Sequence, residues 1–182
     1  MKVHIISEHG YEEAILGLSL SYGINDTRAK EVAVTLASKA SGHNKFLESI
    51  CVWLDIQAPR YWWQEFDTYR VGMTKQSEST MHTILKRELD FDDFEDGGVD
   101  PAILTRLNTM IYHKEFTEVK NNLPEGFLQR RIVTTNYKTL RNIFQQRLTH
   151  RLPQWSQFLS DTYKHLEHKE FLDDVITPSH RS

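Results

Sequence analysis

Three segments alternate apolar and polar residues with the period of a β-strand. In the opening MKVHIIS, Val3 and Ile5 alternate with polar neighbours, which predicts a short strand. In SICVWLDIQ every second residue is apolar, so one face of a predicted strand is fully hydrophobic. That face consists of Ile50, Val52, Leu54 and Ile56. RRIVTTN, residues 130–136, is a third candidate strand.

Helical spacing covers most of the rest. YEEAILGLSLSYG predicts a helix that stops at Gly23. Asp26 and Thr27 are candidate caps for a second helix, which Gly42 would end. Its stripe of mostly small apolar residues is Ala29, Val32, Ala33, Leu36 and Ala40.

Prolines and glycines divide the remainder of the chain. Pro59 fits the first turn of a helix that continues to about Tyr69, because its missing N–H is not needed there. The acidic segment LDFDDFEDGGVDP predicts a loop. One helix is predicted over residues 101–122, another over 137–151, and a third from Pro153 to residue 172. We therefore expect a helix-dominant α+β fold around a small mixed or antiparallel sheet, with one domain over 1–176 and a flexible tail over 177–182.

Composition narrows the function classes. The chain has 182 residues, 39% hydrophobic and 26% charged, as expected for a globular domain. Its formal charge of -3 gives no global basic field, so we expect no nucleic-acid partner. No apolar run reaches the roughly 18 residues of a membrane span. The start is too short for a signal peptide, and a single cysteine excludes an internal disulfide. A cytoplasmic setting without membrane contact is expected.

The glycine-rich nucleotide loops and the common catalytic motifs are absent: no G-x-G-x-x-G, G-x-x-x-x-G-K-[ST], H-E-x-x-H or G-x-S-x-G occurs. His165 and His168 lie three residues apart on a predicted helix, but two ligands fall short of a metal site, so solvated histidines are the favoured interpretation. DFDDFEDGG lacks the oxygen spacing of an EF-hand. No metal is expected.

One long stretch, SGHNKFLESICVWLDIQAPRYWWQEFDTYRVGMTKQSEST, is similar to flavin-dependent thymidylate synthases. That family has a G-H-x-S-x-x-E-H segment, a strand, a helix that starts S-R, and then Q-x-x-R-H-R. The positions that match are Gly42, His43, Leu47, Glu48, Arg60 and Arg70.

A second stretch, NLPEGFLQRRIVTTNYKTLRNIFQQRLTHRLPQWSQF, resembles the C-terminal half of the same family. It has the L-P pair, a strand that ends T-x-N, a following helix and a Q-W pair. The positions that match are Asn136, Leu140, Asn142, Arg147, Gln154 and Trp155. With the opening strand included, the resemblance spans most of the chain.

The main departures lie in Q-x-x-R-H-R, which here reads EFDTYR, with Glu65, Thr68 and Tyr69 in place of glutamine, arginine and histidine. The Ser-x-Asn-Glu-x-Ser stretch that follows fits in two registers; in the one with an inserted residue, Gln76 takes the asparagine position and Ser79 a serine position. Glu65 and Asp67 put negative charge where the family holds the nucleotide, which is unfavourable for dUMP.

The resemblance implies a flavoprotein that uses FAD, NADPH and methylene-tetrahydrofolate to transfer a one-carbon group to C5 of a pyrimidine deoxynucleotide. It also implies a homotetramer with sites shared between subunits. By position, Arg147 would polarise the base as the catalytic residue. The nucleotide-binding positions are Lys120, Arg70, Gln76, Ser79 and Glu65. The cofactor-binding positions are His43, Tyr69, Arg70, Asn136, Asn142 and Gln154.

Structural interpretations of the same residues stay open. Trp62 and Trp63 are more typical of a core than of a flavin site. Asn136 can be a helix cap, and the arginines of residues 141–151 can be a solvated face. Two functions therefore compete: a flavin-dependent transferase with a remodelled nucleotide pocket, and a catalytically silent relative that binds nucleotide or flavin in a regulatory or interaction role. If the resemblance is false, a helical interaction protein remains.

Overall fold

The structure, a computed structural model, describes residues 1–39 and 42–177. Its four strands form one small antiparallel sheet in the order β1-β2-β4-β3. The strands are β1 Lys2–His9, β2 Cys51–Pro59, β3 Thr74–Ser77 and β4 Leu128–Asn136. The predicted apolar face of β2 is confirmed, because all four of its residues are fully buried.

Helices account for far more of the described residues than strands do, which confirms the helix-dominant α+β fold. They are α1 Tyr11–Tyr22, α2 Asp26–Ala37, α3 Arg60–Phe66, α4 Thr80–Thr83, α5 Pro101–Tyr112, α6 Phe116–Asn122, α7 Tyr137–Arg147, α8 Pro153–His165 and α9 Asp173–Ile176. Short 3-10 helices cover Lys45–Glu48, Phe91–Asp93, Glu95–Gly97 and Lys169–Phe171. Within the described residues, no helix is long and apolar enough to cross a membrane.

The cap and the end predicted for α2 were wrong. The cap is Asn25, whose side-chain oxygen accepts a hydrogen bond from the Arg28 amide at 2.9 Å, and Asp26 is already the first helical residue. The helix ends at Ala37, before Gly42. Ala40 lies outside the described residues.

The single helix predicted over residues 101–122 is in fact two helices. Lys114 has φ 58°, a left-handed conformation that ends the run of helical hydrogen bonds after α5. Its ammonium group donates to the carbonyl of Leu85 at 3.0 Å, which helps to hold the turn. The next helix, α6, starts at Phe116.

Further boundaries differ from the prediction: the helix predicted over residues 137–151 ends at Arg147. The helix after Pro59 ends at Phe66 rather than near Tyr69, and strand β3, Thr74–Ser77, has no counterpart among the predicted elements. The helix predicted to reach residue 172 stops at His165. Except for Thr177, the predicted tail lies outside the described residues, and the single domain over 1–176 stays a prediction.

The chain divides into two compact units. The first consists of Met1–Lys2, Ile56–Tyr69 and Gln76–Arg131. Its core is a cluster of apolar side chains from α5, α6 and the segments around them, for example Leu107, Ile111 and Val119. A group of aromatic side chains on α3 is also buried, with the Trp62 and Phe66 rings stacked at 4.7 Å.

The second unit consists of Val3–Asp55, Arg70–Lys75 and Ile132–Ser182. Helices α1 and α2 pack together, and the small buried side chains of Ala29 and Ala33 allow a close approach. Helix α7 packs against α8 and α9. Arg141 on α7 is buried, and its guanidinium group binds Asp174 and donates to the carbonyl of Phe171 at 2.6 Å. This fixes the C-terminal segment onto α7.

Candidate functional site

The loop that carries Arg70 is fixed to the start of α7. The Thr135 hydroxyl donates to the carbonyl of Gly72 at 3.2 Å, and the Thr139 hydroxyl donates to the carbonyl of Val71 at 3.2 Å. Gly72 has φ 68°, and a Cβ there would lie 2.5 Å from Thr139 Oγ1. The backbone therefore approaches α7 more closely than any other residue type permits. Arg70 is exposed at the start of this anchored loop.

Asn136 joins β4 to α7 and caps the helix. Its Oδ1 accepts the Thr139 amide at 2.9 Å, as the capping interpretation predicts. A Cβ on Gly72 would lie 2.7 Å from Asn136 Nδ2, so the amide group of Asn136 stands directly against the Arg70 loop. The loop that follows Arg70 therefore lies against Asn136, so the segments that carry these two predicted cofactor positions are neighbours.

Tyr137, the first residue of α7, anchors the first turn of that helix through its buried side chain. Its ring is fully buried, its hydroxyl donates to the carboxylate of Glu8, and it accepts the His168 amide at 3.0 Å. Glu8 also accepts the Glu167 amide at 2.7 Å. Burial raises the pKa of Tyr137, and the hydrogen bond to Glu8 raises it further. Burial also raises the pKa of Glu8, against the opposing effect of its two hydrogen bonds.

The other predicted residues of the second unit lie along α7 and α8. Asn142 is exposed and accepts a hydrogen bond from Gln146 at 3.0 Å. The Arg147 guanidinium lies 4.6 Å from the ring centroid of Trp155, a cation–π contact that orients it. Gln154, beside Trp155, is buried. Arg147 is therefore held in place at the C-terminal end of α7 by the first turn of α8.

His43 lines a cavity of about 720 Å³ between α1 and the segment 42–49. Its described lining mixes ionisable groups, hydroxyls and rings: Glu13, Ser21, Tyr22, His43, Lys45, Phe46, Glu48 and Ser49, with Ala14, Gly17, Leu18 and Gly42. None of the other predicted cofactor residues is among these. Glu48 also binds Lys138, the second residue of α7, so the segment is joined to that helix.

In the first unit, Lys120 lies beside the predicted nucleotide segment. Its ammonium group donates to the Thr80 hydroxyl at 2.6 Å, and Thr80 follows Ser79 directly. Lys120 is half-buried, Thr80 is buried, and Ser79 and Gln76 are exposed. Thr80 is a residue that sequence reasoning missed, because no motif position pointed to it.

The negative charge of Asp67 is compensated inside the protein. Arg131 Nη1 lies 3.0 Å from each Asp67 carboxylate oxygen, and Nη2 donates to Gln129 Oε1 at 3.0 Å. The same guanidinium lies 4.3 Å from the ring centroid of Trp63. Sequence reasoning missed Arg131, whose charge offsets that of Asp67. Glu65, the other acidic residue of this segment, is half-buried.

The aromatic residues of this region belong to the core. Trp62 and Trp63 are buried, and the indole N–H of Trp63 donates to the carbonyl of Gln129 at 2.9 Å. Tyr69 is 7% exposed and meets the edge of Phe66. Arg60 donates to the carbonyl of Leu123 at 2.9 Å, so it holds the L-P turn. The core interpretation of the tryptophans is therefore correct.

The histidines considered as metal ligands have other contacts. A ring nitrogen of His165 lies 2.8 Å from the carbonyl of Asp161, and His168 stacks on Tyr11 at 3.6 Å. Within residues 1–39 and 42–177, no three His, Cys, Asp or Glu side chains group closely enough to hold a metal ion.

Comparison with known proteins gives a likeness in structure only. No protein-family model matches the chain, and no curated protein matches it either. Thymidylate synthase X from Helicobacter pylori, solved with FAD and dUMP, superposes with a TM-score of 0.85 at 16% identity, covering 97% of this chain and 100% of its own. A second structure of the flavin-dependent enzyme from that organism, complexed with FAD and dUMP, gives 0.81 at 17% identity with the same coverage. The resemblance to flavin-dependent thymidylate synthases is confirmed as a likeness of the whole fold.

Proposed function

We propose that this chain binds FAD and a pyrimidine deoxynucleotide and transfers a methyl or methylene group to C5 of the base, with a remodelled nucleotide pocket. The observation that carries the proposal is the match over 97% of the chain to structures solved with FAD and dUMP. The matching motif positions support it: Arg70, Asn136, Asn142 and Arg147 are present, and the loop after Arg70 is hydrogen-bonded to Thr135 and Thr139, on either side of Asn136.

The residues present suit a flavin dinucleotide. The cavity at His43 offers aromatic rings for stacking and cationic or imidazole groups for a diphosphate, at Tyr22, Phe46, Lys45 and His43. Residues that would hold the remainder of FAD are Arg70, Asn136 and Asn142, whereas Tyr69 and Gln154, the other two predicted positions, are buried. When bound, the flavin supplies the electrons that reduce the transferred one-carbon group. NADPH and methylene-tetrahydrofolate complete the proposed set of reactants.

Nucleotide binding is assigned to cations and hydroxyls. Lys120 would bind the phosphate as a point charge, and Thr80 orients its ammonium group. Gln76, Ser79 and Arg70 contribute further donors. Arg147, held against Trp155, would donate to a ring carbonyl and so stabilise the negative charge that develops on the base.

Glu65 leads us to propose a preference for one pyrimidine base over another. A carboxylate accepts hydrogen bonds, and the exocyclic amino group of cytosine is a donor that uracil lacks. Because Arg131 binds Asp67, the charge of that neighbouring carboxylate is offset, and the Glu65 carboxylate supplies the acceptor oxygens. We therefore expect the wild type to prefer dCMP over dUMP, and Glu65→Gln to reduce or reverse that preference. Equal preference in both proteins would show that Glu65 does not read the base.

A catalytically silent relative is the second candidate. The loss of the histidine and of one arginine from Q-x-x-R-H-R favours it, as does the burial of Tyr69 in the core. Such a protein would bind flavin or nucleotide and regulate or recruit another molecule. NADPH oxidation separates the candidates: a rate stimulated by pyrimidine nucleotide supports the transferase, whereas flavin binding without that rate supports the silent relative.

The first experiment is the visible spectrum of the purified protein with and without added FAD. Flavin bands that stay with the protein through gel filtration support the proposal. Lys120→Met should then weaken nucleotide binding and leave the flavin spectrum unchanged, with Lys86→Ala, an exposed lysine, as the charge control. A colourless protein that takes up no FAD would overturn the flavin function. The proposed assembly is a homotetramer.

A further inference from the structure

A second cavity in the second unit lies between the C-terminal end of α7 and helices α8 and α9. It has a volume of about 520 Å³ and shares no lining residue with the cavity at His43. Its described lining consists of Leu148, Ser156, Leu159, Ser160, Tyr163, Lys164, Lys169 and Ile176. None of the residues assigned to the flavin or nucleotide belongs to it, so its use is not explained by the proposed function.

The inner surface of this cavity is apolar. Leu159 on α8 is buried, while Leu148 just after α7 is 41% exposed and Ile176 is half-buried at the end of α9. Three aliphatic side chains from three segments therefore converge on one concave surface. A ligand body that covered Leu148 and Ile176 would remove apolar area from water, which favours an aliphatic or aromatic group.

The two charged side chains among the described lining residues are both cationic. Lys164 and Lys169 contribute two ammonium groups, Ser156 and Ser160 contribute hydroxyls, and no carboxylate is among the described lining residues. This contrasts with the formal charge of -3 for the chain as a whole. The Tyr163 hydroxyl donates to Asp173 at 2.6 Å, which fixes the ring, and Lys169 Nζ lies 5.8 Å from the centroid of that ring.

We propose that this cavity binds an amphipathic monoanion, a carboxylate or sulfonate on an aliphatic or aromatic body. The body would lie on Leu148, Leu159 and Ile176, and the anionic group would meet Lys164 and Lys169 with the serine hydroxyls beside them. A volume of about 520 Å³ falls in the range of small-molecule sites, roughly 300–1,000 Å³. The site does not depend on the flavin function, because the two cavities are separate.

Decanoate titrated into the full chain, followed by amide signals in two-dimensional NMR, tests the site directly. Signals from residues 156–164 and from Lys169 should shift saturably, while those from 17–22 and 42–49, around the other cavity, stay unchanged. Decanol, which has the same chain without the charge, should bind more weakly, by about fivefold for two exposed ion pairs. Equal affinity for decanoate and decanol would overturn the anionic assignment.

Two variants separate the parts of the proposal. Ser160→Phe fills the cavity from an exposed helical position, so it should fold normally and lose decanoate binding. The double variant Lys164→Ala/Lys169→Ala should bind decanoate and decanol equally. Lys86→Ala, an exposed lysine outside the cavity, should behave as wild type. Undiminished decanoate binding by Ser160→Phe, or shifts confined to 17–22 and 42–49, would overturn the site whether or not the protein binds FAD.

Discussion

At the scale of single residues, Arg131 shows how a charge that appears unfavourable in the sequence is neutralised in the fold. Its guanidinium group binds both oxygens of Asp67 and lies over the face of Trp63. Such paired hydrogen bonds between charged groups are stronger than neutral ones, and the indole face adds a cation–π contribution. The negative charge that the EFDTYR segment presents is thus partly offset by an arginine from a distant part of the sequence.

Arg131→Gln should destabilise the protein by about 1–2 kcal/mol, because it removes the ion pair and the cation–π contact together. It should also weaken pyrimidine nucleotide binding, since Asp67 then loses the guanidinium charge that offsets its own. Urea unfolding and nucleotide titration measure the two effects. The double variant Asp67→Asn/Arg131→Gln should recover nucleotide binding. Arg87→Gln, which breaks an exposed pair with Asp93, is the control and should leave nucleotide binding unchanged.

Glu8 gives a prediction for pH. Burial raises its pKa in the folded state, and the groups that face it are Tyr137, Glu167 and His168. The folded protein therefore keeps the Glu8 carboxyl protonated at pH values where the unfolded chain has already released that proton. Its contribution to stability is present below the ordinary carboxyl pKa of 4.5 and is lost as the pH rises through the raised value.

Glu8→Gln should therefore show a flatter dependence of unfolding free energy on pH than the wild type, measured by urea titration from about pH 4.5 to about pH 7.5. The advantage of the wild type over the variant should grow as the pH falls. The charge interaction with His168 lowers the pKa of Glu8, so His168→Gln is a useful second background. Parallel pH profiles for wild type and Glu8→Gln would contradict the assignment.

At the scale of elements, the loop 70–73 and the start of α7 are held together as one structural segment. Gly72 has φ 68°, and the two side chains that a Cβ would meet are both fixed: Thr139 donates to Val71, and Asn136 caps α7. Neither can move away without the loss of a hydrogen bond. Gly23 at the end of α1 has nearly the same φ, 63°, but a Cβ added there would have no neighbour within 4 Å.

Gly72→Ala and Gly23→Ala are therefore matched variants. Both carry the cost of a left-handed alanine, about 1 kcal/mol. Only Gly72→Ala adds a steric conflict and a disturbed cap, about another 1–2 kcal/mol. Thermal unfolding measures this difference. If the loop holds Arg70 for the flavin, Gly72→Ala also weakens FAD binding, whereas Gly23→Ala does not. Equal effects of the two substitutions would refute the anchoring role.

The elements predicted correctly from the sequence are those in which burial of one face produces a regular spacing of apolar residues. Ile50, Val52, Leu54 and Ile56 alternate because one face of β2 is fully buried. Strand β3, Thr74–Ser77, has no apolar face and lies at the edge of the sheet, so nothing in its composition marks it. The turn at Lys114 was missed for a similar reason, since a lysine in a left-handed conformation carries no signal of its own.

The candidate site was found only in part, for a different reason. The family resemblance pointed to Asn142 and Arg147, which lie on α7, and to Asn136, its N-cap, because neighbours along one helix keep a fixed spacing that a motif can match. It did not find Thr80 beside Lys120 or Arg131 beside Asp67, which are 40 and 64 residues apart in the sequence. Side-chain contacts between residues so far apart in the sequence depend on how the strands of the sheet are paired and connected. A single sequence does not show which distant residues meet.

At the scale of the whole molecule, helix α1 is apolar on both sides. Ala14, Ile15 and Leu18 are buried, while Leu16 is 52% exposed and Leu20 76% exposed. Contiguous exposed apolar surface on a helix is typical of an interface between subunits. The proposed homotetramer offers a partner for that surface. The same helix lines the cavity at His43, so assembly and flavin binding should be linked.

Leu20→Glu should therefore lower the mass measured by light scattering from about four times the chain mass of 21.4 kDa toward smaller species, because it puts a charge into an apolar interface. Tyr112→Glu is the matched control, since Tyr112 on α5 is 75% exposed, nearly the same as Leu20. If subunits share the flavin site, the smaller Leu20→Glu species also binds FAD less well. Full FAD affinity in a dissociated variant would show that each subunit holds its flavin alone, and an unchanged mass would exclude α1 from the interface.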